Sequence, residues 1–237
     1  MIKKHFFDAT ILLLFSFSLL FLFICKREIK NQTKESFGSS PETVIIDPGH
    51  GGDDGGAVAN NVLFEKDFNL KISQKLELLL NLHGVNTDMT RREDISLGEN
   101  SDISLRKRKI ADIRKRVNKI LSNTNATVIS VHQNSYPQDT GCFGAQVFYS
   151  DKNVYSKLFA KKVQDALKYG INNANSRTEK VVDRKIFLLE QINCPAVLVE
   201  CGFLTNADEL AMLSTEEYQM NLAACIASGF FEYKKEM

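Results

Sequence analysis

Residues 43–56 read TVIIDPGHGGDDGG, and the fold turns on the change of character in the middle of that stretch. Thr43 to Asp47 is a short β-branched run, the pattern of a strand, and Pro48-Gly49 stops it. Five glycines between Gly49 and Gly56 then let the backbone turn tightly while His50 is held at the edge of the sheet. A glycine-rich loop after a strand also suggests a phosphate cradle. This one lacks both the G-x-G-x-x-G spacing and the Lys-Ser/Thr pair of a P-loop, so that reading is weak.

Outward from the loop, strand and helix signals alternate. Phe64 to Leu82 carries apolar residues at 64, 68, 70, 72, 76, 79 and 80 and ends before Gly84, a helical pattern whose C-terminal residue is expected to be His83. Val85 to Thr90 follows as a strand. Leu105 to Leu121 is a helix with Leu105, Ile110, Ile113, Val117, Ile120 and Leu121 as its apolar side. Ala126 to Val131 and Ala145 to Tyr149 are strands, Val154 to Tyr169 a helix, and Phe187 to Leu189 and Ala196 to Val199 further strands. Two helices close the chain, one beginning near Asn206 and one capped by Ser214 with Glu217 three residues on. This alternation predicts a single α/β domain over residues 42–237, built on a mostly parallel and mostly buried sheet.

At 237 residues, 43% hydrophobic and 25% charged, the chain has material for a sizeable core, which rules out wholesale disorder and collagen-like repetition. A formal net charge of +1 gives no global field for steering toward nucleic acid. The balance is uneven, however. Residues 1–37 hold six Lys/Arg and three acids, leaving the body at −2. Residues 1–8 form a basic lead-in, and Ala9 to Cys25 then runs seventeen residues without a charge until Lys26-Arg27. At ~1.5 Å per residue that is about 25 Å of helix, near the short limit for a membrane span. A cleavage site needs small residues at the end of the apolar run, where Phe23-Ile24-Cys25 stands, so an uncleaved membrane anchor is expected, with cleavage as the alternative. Residues 26–41 read as a polar linker. Cys142, Cys194, Cys201 and Cys225 show no metal-finger spacing and are expected as small buried hydrophobes; one bridge among them stays open.

In an α/β sheet, function gathers beyond the carboxyl ends of the strands. His50 follows the first strand, and Glu65 comes fifteen residues later at the start of the next helix. His132 ends the strand Ala126 to Val131, and Glu200 ends Ala196 to Val199. Two imidazoles and one carboxylate beside an open position suit a catalytic zinc, because such a ligand set leaves the ion net positive and able to acidify water. His50, Glu65 and His132 fit the ligand role and Glu200 that of the base. The bland alternative is a surface-bonded loop histidine and a carboxylate that caps a helix.

These segments carry a resemblance. VIIDPGHGGDDGGAV, the Glu of FEKDFNL, Met89-Thr90-Arg91, Ile113-x-x-Arg116-Val117, ISVHQNS and PAVLVECGFLTNADELAMLSTEEY, in that order, resemble the zinc-dependent N-acetylmuramoyl-L-alanine amidases of the Amidase_3 family, over about Thr43 to Tyr233. The resemblance implies zinc ligands at His50, Glu65 and His132, a catalytic carboxylate at Glu200, and a mixed six-stranded sheet flanked by helices. It also puts Arg91, Arg116 and Asn134 forward as substrate-binding positions, with Asn134 shaping the loop around His132. Gln133 and Ile113 depart from the family pattern without touching its chemistry.

The anchored single-domain layout and the long basic stretch from Arg91 to Lys119 are similar to the spore-cortex branch of that family. There, stem peptides are removed from muramic acid so that a deacetylase partner can complete muramic-δ-lactam in the forespore intermembrane space. A vegetative cell-separation amidase, and a wall-binding member without activity, are the alternatives; whether an accessory protein completes the site is left open. Eight basic residues lie between Arg106 and Lys119, expected either as a solvated helix face or as a contact for anionic stem peptides, wall phosphates or headgroups.

Overall fold

Strand β1 (Thr43–Pro48) is buried along its whole length, with Ile45 facing one layer of the core and Val44 and Ile46 the other. A strand wet on neither side has to sit inside a sheet covered on both faces, and the rest of the chain supplies the cover. The computed structural model describes residues 42–98, 104–182 and 186–237, and residues 42–237 form one compact unit. The expected anchor and linker lie outside the described residues. Among the described residues no helix is long and apolar enough to cross a membrane.

After β1 come a small hairpin, β2 (Val58–Ala59) and β3 (Leu63–Phe64), then helix α1 (Glu65–Leu82), β4 (Thr87–Met89), α2 (Leu105–Leu121), β5 (Ala126–Asn134) and β6 (Gln146–Tyr149). The chain continues through α3 (Ser156–Ile171), β7 (Lys180–Val181), α4 (Phe187–Gln191), β8 (Ala196–Phe203), α5 (Ala207–Leu213) and α6 (Glu216–Lys235). The six-stranded sheet has the order β4-β1-β5-β8-β6-β7. Its first four strands are parallel, β6 runs antiparallel to β8, and β7 is parallel to β6. The sheet is therefore mostly parallel and mixed, as expected.

Side-chain alternation along the strands divides the core in two. Val44, Ile46, Ile129, Val131, Val197 and Val199 face α1, α3 and α6. Ile45, Val128 and Leu198 face α2 and α4. Close approach of α3 and α6 depends on Gly229, where a β-carbon would stand 2.5 Å from the Cα of Val163.

Two expectations are corrected. Phe187 to Leu189, read as a strand, forms helix α4 with Leu188 and Leu189 buried and Phe187 exposed; three apolar residues in a row do not by themselves distinguish the two periods. The cap of α6 is Thr215, whose Oγ1 accepts the N–H of Tyr218, whereas Ser214 closes α5 and donates to the Leu210 carbonyl. Asn206 caps α5 through the N–H groups of Asp208 and Glu209, and His83 ends α1 beside Gly84 at φ +77°, both as read.

Candidate metal centre and active site

Parity and register bring the site together. Asp47 pairs with Ser130 across β1 and β5, and His132 with Glu200 across β5 and β8. All four lie in phase with Ile45, Val128 and Leu198, so their side chains emerge on the α2 and α4 face at the carboxyl ends of three adjacent parallel strands. They line a cleft of about 240 Å³, closed on the opposite wall by Ile113, Ile186, Phe187 and Leu188.

Glu65 reaches this edge because the β2–β3 hairpin doubles the chain back before α1 begins. Asn60 and Asn61 both adopt left-handed backbone, as a tight hairpin turn requires, and the Glu65 N–H bonds the Ala57 carbonyl. Glu65 Oε1 then lies 3.2 Å from His50 Nε2 and 3.0 Å from His132 Nδ1. The two imidazoles stand edge to face with centroids 5.0 Å apart, and donor atoms of the three residues all lie within 4.8 Å of one another.

Glu65 and His50 are braced from behind. Glu65 accepts the N–H groups of Ala57 and Gln133 and a bond from Asn69, which also donates to the Gly49 carbonyl. Asp54 Oδ2 lies 2.9 Å from His50 Nδ1, which fixes that ring's orientation and leaves Nε2 to the cluster. Two glycines make the approach feasible: a β-carbon on Gly49 would fall 2.2 Å from the His132 ring, and one on Gly56 would fall 2.5 Å from Glu65 Oε2.

The charges are mutually sustaining. Burial disfavours the His50 cation, yet the bonds to Asp54 and Glu65 prevail and raise it to about 9. Burial acts to raise Glu65 as well, but the bonds from His132 and His50 hold it well below the carboxylate range. Glu200 is the opposite case. Burial and the neighbouring Glu65 charge push it up to about 7, against the pull of the histidines, and its Oε2 is buried without a hydrogen-bond partner. A carboxyl group poised near neutrality and aimed into a cleft suits proton transfer.

A divalent ion fits this cluster on the chemistry of its donors: two imidazole nitrogens and one carboxylate oxygen, tightly grouped, with bracing carboxylate and amide partners outside them. His50, Glu65, His132 and Glu200 are thus brought together as the sequence suggested. Asn134 lies at the end of β5 with its side-chain oxygen on the Ser135 N–H. Arg116 is among the residues lining the cleft, and Arg91 lies outside them. Both are 2% exposed. Arg91 donates to the carbonyls of Pro48, Gly49, Lys66 and Glu93, and Arg116 to those of Pro48 and His50 and to Asp47 and Asp112. They hold the loop from below, their donors committed to it.

Sequence reasoning missed Asp54, Asn69 and the side chain of Gln133, which donates to Asn69 at 3.2 Å. Only Asp54 left a signal, an acid four residues after a candidate ligand in a loop that folds back on itself through the Gly51–Asp54 bridge. The four body cysteines are all free, but only Cys201 is buried as expected; Cys142, Cys194 and Cys225 are half-buried. Burial pushes the Cys194 thiol up to about 11 and Cys201 higher still.

A three-layer α/β architecture with a His-Glu-His cluster beside an unpartnered carboxyl group has the donors that metal-assisted hydrolysis uses. The profile of the N-acetylmuramoyl-L-alanine amidase family, Amidase_3, matches residues 44–232, and the chain belongs to that family. It is 32% identical over 222 residues to the germination-specific N-acetylmuramoyl-L-alanine amidase of Bacillus subtilis, covering 92% of each chain. Among solved structures it resembles the CwlD amidase of Clostridioides difficile in complex with the GerS lipoprotein, at TM-score 0.78 and 36% identity over 82% of this chain and 99% of that one. It also resembles the amidase AmiC2 of Nostoc punctiforme, at TM-score 0.65 and 31% identity over 84% and 99%. The protein is an N-acetylmuramoyl-L-alanine amidase acting on peptidoglycan.

Proposed function

We propose that this amidase is zinc-dependent and removes stem peptides from muramic acid during maturation of the spore cortex, before a deacetylase completes muramic-δ-lactam. The observation that carries the zinc reading is the shared oxygen of Glu65, which lies within 3.2 Å of both His50 Nε2 and His132 Nδ1 while Glu200 stands unpartnered beside them. Bound there by His50, Glu65 and His132, zinc would supply Lewis-acid polarisation and acidify water. The apolar wall of Ile113, Ile186 and Phe187 keeps the scissile amide against the polar wall and limits bulk water. Glu200 takes the proton of the attacking water as its oxygen adds to the lactyl carbonyl carbon. It returns that proton to the alanine nitrogen as the C–N bond breaks, leaving a lactyl carboxylate and a free amine.

Glu200→Gln tests this assignment. The variant is expected to keep its zinc and lose at least ~100-fold in release of alanine amino groups from muropeptides. A rate close to that of the parent would remove Glu200 from the mechanism.

The cortex role is supported by the likeness to the germination-specific relative along 92% of both chains. Residues 9–25 are proposed to tether the enzyme on the outer side of a membrane. The lipoprotein bound to the Clostridioides difficile amidase supports an accessory partner of similar kind. Spores lacking the protein should lack muramic-δ-lactam in their muropeptide profile; a normal profile would move the enzyme to the vegetative wall.

A further inference from the structure

The basic stretch of α2 is neither a uniformly solvated face nor free for a partner along its length. At least four of its eight cations pair with acids among the described residues. Arg108 pairs with Asp53, Lys109 with Asp54, Arg116 with Asp47 and Asp112, and Lys119 with Asp88. Asp47 ends β1, and Asp53 and Asp54 belong to the loop that follows it and carries His50. Of the two pairs on that loop, the one at Lys109 ends on a carboxylate that itself touches the His50 ring.

The contacts form a line. Lys109 Nζ lies 2.6 Å from Asp54 Oδ1, and Asp54 Oδ2 lies 2.9 Å from His50 Nδ1. Oδ1 also accepts the Gly56 N–H at 3.2 Å. A carboxylate has one in-plane orientation that serves all three donors at once. Lys109 and Gly56 on one oxygen turn the other toward the imidazole. An exposed lysine–carboxylate pair adds little to stability, and Lys109 is 43% exposed, so fold stability is not what this contact governs. It governs where Oδ2 points, and through it which nitrogen of His50 carries hydrogen and which faces the cluster.

We infer that Lys109 is a positioning residue of the metal centre, acting through Asp54 to hold His50 with Nδ1–H outward and Nε2 presented for coordination. The inference rests on the reading of His50, Glu65 and His132 as metal ligands. It assigns the basic helix a task in assembling the site from the side opposite the sheet. Lys109 itself touches neither ion nor substrate.

The test uses the full chain and zinc ion alone, with affinity measured by competition against a chromophoric chelator at fixed pH. Direct partners of ligand histidines contribute about 10- to 100-fold to metal affinity; one step further out, Lys109→Met is expected to weaken zinc about 3- to 10-fold. Lys109→Arg should restore the parental affinity, and Lys107→Met, on the exposed side of the same helix, should leave it unchanged. Asp54→Asn should weaken zinc more, and Lys109→Met added to it should have no further effect. The ¹⁵N resonances of His50 should lose the Nδ1–H signature in Lys109→Met. Equal affinities for Lys109→Met and the parent, or an undiminished loss on the Asp54→Asn background, would overturn the inference. A parent chain that bound no zinc would overturn the metal-centre reading instead.

Discussion

His50 holds φ +62°, a left-handed backbone that costs a residue with a β-carbon about 1–3 kcal/mol. The surroundings fix it on three sides, with Arg116 on its carbonyl, Asp54 on Nδ1 and Glu65 on Nε2. Gly56 has the same hand, at φ +69°, and its missing side chain leaves room for Glu65 and His50 together. Gly56→Ala combines backbone strain with contacts of 2.5 Å to Glu65 Oε2 and 2.8 Å to His50 Cδ2. It is expected to retain the fold by circular dichroism and lose at least ~10-fold in zinc affinity by chelator competition. At this scale the sequence exposed His50, Glu65, His132 and Glu200, because each follows a strand or opens a helix. Asp54 and Asn69 stayed hidden because their partners are chosen by a loop geometry that no spacing displays. What Arg91 and Arg116 do was hidden for a related reason: both guanidiniums support the loop, and only Arg116 also lines the cleft, a difference that spacing does not display.

Helix α2 is joined to the sheet by more than apolar packing. Arg116, buried on its inner face, meets Asp47 at the end of β1 at 2.7 Å, and Asp47 also accepts the hydroxyls of Thr90, just after β4, and Ser130 in β5. Burial acts to raise the Asp47 carboxyl, but the Arg116 charge and the bonds from Thr90 and Arg116 lower it from 3.8 to about 2. A carboxylate depressed in the folded state contributes stability fully present above its unfolded value, and loses it as pH falls through the folded one. Acid titration should therefore remove about 2 kcal/mol between pH ~4 and ~2. In Arg116→Met the buried Asp47 charge has lost its partner. Neutral-pH stability should fall by about 3–5 kcal/mol. The acid loss should vanish, because that carboxyl now gains a proton on folding. A variant with the parental acid profile in urea unfolding would show that Asp47 is held by its hydroxyl partners alone. The bounds of α2 were legible from its apolar stripe, and both ends coincide with the structure. Helix α4 was not, since five residues contain too little of any period.

For the molecule as a whole, alternation of strands and helices was sufficient to expect a buried, mostly parallel sheet, but not to order it. The sequence β4-β1-β5-β8-β6-β7 depends on which crossover each helix makes, and β2, β3 and β7 are two residues each, below any periodicity. The near-neutral total charge resolves into internal pairs, with at least four of the cations of α2 committed to described acids of the body.

Register carries one more consequence. His132 and Glu200 sit opposite each other on β5 and β8, so the two side chains are one rung of the sheet apart. A slip of one residue would turn Glu200 to the α1, α3 and α6 side and leave His132 without it. Hydrolytic power therefore appears only when the last central strand has docked in its proper frame. A chain trapped in a near-native misfold with that register wrong leaves peptidoglycan uncut.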